Sequence, residues 1–153
     1  MDFRQLWSLS LLSLRHFLFV IPTIKATRKC VAICDDYFGR AHHRNGKANA
    51  FRHALWNVLI VKGGAASGRS LEKSITWAKT ITDWHEDFSP NKALAREMDL
   101  HNNQFGRDFA KSNYNSSQEE IVEELMKQIT LSRKHTCVET LAKDRAFLVH
   151  IED

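Results

Sequence analysis

The sequence predicts an all-α fold, a single-domain bundle of about six or seven helices, and three observations carry that expectation. Only two prolines and six glycines occur in 153 residues, so backbone breaks are scarce. Alanine, leucine, lysine and glutamate, all good helix formers, are common. Turn signals at the roughly 8 to 12-residue spacing of an all-β chain are missing. The length suits one domain. Residues 1–21 read as an amphipathic N-terminal helix packed on or flanking the body, and residues 22–153 as one helical domain.

The first segment, MDFRQLWSLSLLSLRHFLFVIP, sets Arg4, Gln5, Ser8, Arg15 and His16 on one side of a helical wheel, with leucines and aromatics on the rest. Arg15 and His16 interrupt its apolar run before membrane-spanning length, and no small-residue cleavage site follows. The expected role is core packing, with membrane-surface contact through residues 1–21 as the alternative. Pro22 is expected to end this helix and open a second, running to Gly39. RAHHRNG follows as a polar loop, and a third helix from about Asn49 is expected to close at Gly63 and Gly64. Ser70 opens a fourth helix ending near Phe88. Ser89 and Pro90 read as cap and first turn of a fifth, which Gly106 interrupts late. Asn115 to Ser117 cap a sixth with acidic residues in its first turn, and Ser132 to about Val149 reads as a last, weaker helix.

Charge is uneven. Through Ala48 the chain carries eight Lys or Arg against three Asp, while the remainder is close to neutral. A basic end of this kind suits an acidic surface, although no aromatic-interleaved nucleic-acid motif accompanies it. The three cysteines, Cys30, Cys34 and Cys137, are an odd count that points to a reducing, cytoplasmic setting. Cys30 and Cys34, one helical turn apart, read as small buried hydrophobes.

Three stretches place polar groups on segments otherwise built for a core. NAFRHALWN puts Asn49, Arg52, His53 and Asn57 on one side of the third helix. TDWHED places His85 and Glu86 at the end of the fourth, about 100° apart, so both face one point only if the helix end unwinds. EMDLHNNQFGR spaces Asp99, Asn102, Asn103 and Gly106 at i, i+3, i+4 and i+7. Two asparagines in mid-helix are unfavourable by propensity, so something other than helix formation accounts for them. Gly106 would admit a close backbone or substrate. HExxH and GxSxG motifs are absent.

Two histidines and a carboxylate suffice for a Zn²⁺ or similar divalent ion, and the expected ligands are His53, His85 and Asp99. Glu86 is then the base, or all four residues work in acid/base catalysis without metal. Asn49, Arg52, Asn102, Asn103 and Arg107 are the expected substrate-binding groups. The succession of NAFRHALWN, HE and MDLHNNQFGR resembles an uncharacterised bacterial helical family, a domain of unknown function with N-A-x-R-H-A, H-E and M-D-L-x-N-N-x-x-G-R motifs, over about Asn45 to Ala110. That resemblance implies that the polar residues from Asn49 to Arg107 form one unit. It carries no reaction, and the first two helices and the tail fall outside it. A hydrolase with a His/Glu/Asp site is the leading expectation. A non-catalytic module with a buried polar network and a peripheral membrane or partner-binding protein are its competitors. His42, His43 and His101 carry no assignment from the sequence.

Overall fold

Helix α1 spans Phe3–Arg15 and α2 spans Phe17–Phe38 in the computed structural model, which describes residues 3–89, 91–141 and 143–153. The break between them falls at His16, not at Pro22. Pro22 lies inside α2, where the Leu18 carbonyl loses the amide partner it would otherwise have one turn later. A 3-10 turn, Gly39–His43, leads to α3, Lys47–Ala66. Then come α4 (Leu71–Asp87), α5 (Ala93–Ser112), α6 (Gln118–Thr130) and the short α7 (Val138–Leu141). Among the described residues, these seven helices pack together in one body. No described helix is long and apolar enough to cross a membrane.

Helix α3 is the axis. It packs against α2, α4, α5 and α6, so both of its sides are covered. Phe51, Leu55 and Val58 enter the apolar core on one side, and Asn49, His53 and Asn57 are buried on the other. The glycines expected to close this helix lie within it instead. A Cβ on Gly64 would come 2.7 Å from Ser74 Oγ and 2.9 Å from the Phe19 ring, so this glycine lets neighbouring helices approach. Gly106 does the same more severely. A Cβ there would lie 2.4 Å from the Ala54 carbonyl oxygen, and α5 runs through it without interruption. Close contact at this point brings the polar faces of α3 and α5 together.

Helix α5 begins at Ala93, later than Ser89 predicts. The Ser89 hydroxyl donates to the His85 carbonyl and thus finishes α4 instead of starting α5. Pro90, expected in the first turn, lies outside the described residues. The α6 cap agrees with expectation: Ser117 accepts from the Glu120 amide, and the Glu120 carboxylate accepts from the Ser117 amide.

The tail is the main departure from an all-helical reading. Among its described residues only Val138–Leu141 is helical, and β1 (Arg133–Lys134) pairs in parallel with β2 (Val149–His150). Leu148, Val149 and His150 are buried. Asn102 on α5 donates to the Val149 carbonyl and accepts from the Val149 amide, both at 2.9 Å. One side-chain amide thereby supplies a β-ladder's two bonds, and an extended strand replaces the expected helix.

Candidate functional site

Helices α3, α4 and α5 converge on a buried trio, His53, Glu86 and Asp99, each with 2% or less of its surface exposed. One ligand-type atom from each lies within 4.8 Å of the others. The carboxylates are supplied by α4 and α5 and the imidazole by α3, so no single helix contains the site.

The imidazole tautomer follows from its neighbours. Arg52 Nη2 lies 2.9 Å from His53 Nε2, and a guanidinium can only donate, so Nε2 carries the lone pair. Nδ1 then carries the proton and donates to Asn103 Oδ1 at 3.2 Å. Burial, then the charge of Arg52, holds the His53 pKa well below its ordinary value, in keeping with a neutral ring.

Asn103 is the junction. Its Oδ1 also accepts from Asn57 Nδ2 at 2.7 Å, and its Nδ2 donates to Glu86 Oε1 at 3.2 Å. Asn57 accepts in turn from Arg107 Nη1 at 3.1 Å, and the same guanidinium nitrogen donates to Thr82 Oγ1 at 3.2 Å. Donors therefore run in one direction, from Arg107 through Asn57 and Asn103 to the Glu86 carboxylate. Every link is buried.

The chain of partners stops at two oxygens. Glu86 Oε2 and Asp99 Oδ1 are buried without a hydrogen-bond partner. Asp99 Oδ1 is 3.2 Å from His53 Nε2, yet that nitrogen's lone pair is already engaged by Arg52 and offers the carboxylate no proton. Asp99 Oδ2 accepts from Asn91 Nδ2 at 3.0 Å. Burial raises the Glu86 pKa to about 7. Burial, followed by repulsion from Glu86, raises Asp99 to about 8. Two neighbouring acids, each short of a partner, make a site that gains from a cation.

The residues expected from sequence divide clearly. His53, Glu86, Asp99, Asn103 and Arg52 come together. His85 does not join the trio that includes His53 and Asp99; its ring meets the edge of Trp56, with centroids 5.3 Å apart, and it is exposed. Glu86 takes the inward position because residues one apart on a helix diverge by about 100°. Asn102 is committed to the Val149 backbone. Arg107 sits at the far end of the relay, and buried Asn49, one turn before His53, leaves its Oδ1 unpartnered. His101 reaches the Phe147 carbonyl, outside the site. His42 and His43 form a separate group with Asp35, in which His42 is buried and the other two are exposed.

Sequence reasoning did not assign Thr82 or Asn91 to the site, and it left Asn57 on the α3 seam without a role. For Thr82 the signal was present: Ser74, Ala78, Thr82 and Glu86 recur every fourth residue on the buried side of α4. Asn91 lies in the segment before α5, where helical periodicity has no force.

Residues 10–133 match the family described as a domain of unknown function, DUF6973. The match reaches well beyond the expected Asn45 to Ala110 and takes in α2 and α6. No curated protein and no solved structure matches the chain.

Proposed function

This chain belongs to the DUF6973 family, and on that premise we propose that it is a hydrolase whose His53, Glu86 and Asp99 hold a divalent metal ion. One observation carries the reading: Glu86 and Asp99 each leave one buried carboxylate oxygen without a partner, and a ligand-type atom of each lies within 4.8 Å of one on His53. One nitrogen and two carboxylates are a donor set that suits zinc, manganese or iron. A divalent ion would supply Lewis acidity and a hydroxide at neutral pH. The chain's own groups do the rest. Asn103 fixes both the His53 tautomer and one Glu86 oxygen, leaving Oε2 as ligand or proton acceptor. Arg52 occupies the His53 lone pair and must swing aside before that nitrogen can ligate; once displaced, it is a cation placed for an anionic or carbonyl group. His85 stands outside as an exposed candidate for proton transfer.

The test combines metal analysis of purified protein with hydrolysis of chromogenic ester, phosphodiester and amide substrates, before and after chelation. Metal-dependent turnover that disappears in Glu86→Gln and Asp99→Asn is the expected result. Protein that neither retains nor regains metal would remove the metal-dependent reading.

A second reading is favoured by the unbroken, buried relay from Arg107 to Glu86. In it the same groups form a structural polar network with no reaction. Asn103→Ala would then lower stability by about 1 to 3 kcal/mol for each group it strands, and no substrate would be turned over.

A further inference from the structure

Helix α1 turns Gln5 and Ser8 toward the body and leaves Arg4 and Arg15 exposed. Gln5 Nε2 donates to the Phe88 carbonyl at 3.1 Å, and Ser8 Oγ accepts from Trp84 Nε1 at 2.7 Å. Leu9 and Leu12 touch the core, but no residue of this helix is buried. Its other large apolar side chains face outward, with Phe3 79%, Trp7 60% and Leu14 74% exposed. The surface continues along α2, where Phe17, Ile21, Ile24 and Val31 fall at i, i+4, i+7 and i+14 and are all exposed. Eleven of the fourteen exposed large hydrophobic side chains among the described residues belong to these two helices. A soluble monomer does not ordinarily carry so concentrated an apolar surface without a use for it.

Charge distinguishes what would cover it. Residues 3–34 contain Arg4, Arg15, Lys25, Arg28 and Lys29 and no Asp or Glu. Leu18 and Ile21 also line a groove of about 670 Å³ between α2, the end of α3 and α6, where Lys25, Lys29 and Arg69 supply cations and, among the described residues, no carboxylate takes part. A second copy would bring the same cations against themselves. An anionic phospholipid surface offers acyl chains to the apolar side chains and phosphates to the lysines and arginines.

We propose that the outward faces of α1 and the first half of α2 dock on an anionic phospholipid membrane, with the groove beside Leu18 and Ile21 receiving part of one lipid. The helices lie in the interface and do not span it. Docking is independent of the metal reading, since its residues are distinct from His53, Glu86 and Asp99.

Co-sedimentation of the full chain tests this with vesicles of phosphatidylcholine alone and of phosphatidylcholine mixed with phosphatidylglycerol. Binding to the mixed vesicles, weakened by salt and at least about tenfold weaker in Lys25→Glu/Lys29→Glu, is expected. Trp7→Glu/Ile21→Glu should abolish it with an unchanged melting temperature, because both side chains are exposed. Equal binding to both vesicles, or none to either, would overturn the proposal. So would a dimer that Trp7→Glu dissociates in protein that ignores vesicles, which would assign the face to a second copy.

Discussion

Glu86 and Asp99 are buried acids that each leave one oxygen without a partner. With no cation present, each pays for burial without full pairing, and neutralising either should relieve that cost. Glu86→Gln is expected to raise the stability of metal-free protein at pH 8 by about 1 to 3 kcal/mol, read from chemical denaturation, while abolishing metal binding. A core residue with no such burden would lose stability on the same change. Both carboxyls have folded pKa values above their unfolded ones, so the folded state holds more protons, and their stabilising contribution is lost as pH rises through about 7 and about 8. His53 is shifted the other way, and its contribution is lost as pH falls below the ordinary histidine range. Between about pH 6.5 and 8 the carboxyls act alone. Metal-free protein should therefore lose stability across that window, by at most about 1.4 kcal/mol per pH unit for each group. A flat profile in denaturant titrations would mean that the two acids are better solvated than their burial implies.

Helix packing explains how the trio is assembled. The Gly106 contact sets α5 against Ala54 of α3, one residue beyond His53, and so brings Asn103 and Asp99 within reach of the imidazole. Gly106→Ala would put a methyl group into backbone that cannot rotate away. A loss of about 3 kcal/mol or more is expected, or failure to fold. Gly64→Ala meets side chains, which can shift, and should cost less. At this scale much was legible from sequence: the helical period grouped Asn49, His53 and Asn57, and the spacing of Asp99, Asn103 and Gly106 marked one stripe. The period also separated His85 from Glu86, since two neighbours cannot both face inward on a regular helix. What it could not supply was which of the two pointed in, until the buried series Ser74, Ala78, Thr82 and Glu86 fixed the phase.

Over the whole molecule, the parts that local sequence left illegible are those decided by distant partners. Ser132 to Val149 has weak helix formers, and its extended end exists because Asn102 holds it from α5. Asn102→Ala should cost about 1 to 3 kcal/mol by leaving the Val149 backbone unpaired, yet leave metal affinity unchanged, which separates its role from that of neighbouring Asn103. The orientation of α1 was likewise hidden: a helical wheel shows two sides but not which residues the body takes, and here the Phe88 carbonyl and Trp84 take Gln5 and Ser8, beside Leu9 and Leu12.

Calorimetric titration of chelator-stripped protein with Zn²⁺ and Mn²⁺ tests whether His53, Glu86 and Asp99 bind a divalent cation. Exposed histidines, and the separate Asp35, His42 and His43 group, make comparison among variants essential. A tight site that disappears in both Glu86→Gln and Asp99→Asn and strengthens in Arg52→Gln, where the cation on the His53 lone pair is gone, is the expected result. Binding that is absent from the wild-type chain, or unaltered in all three variants, would contradict it.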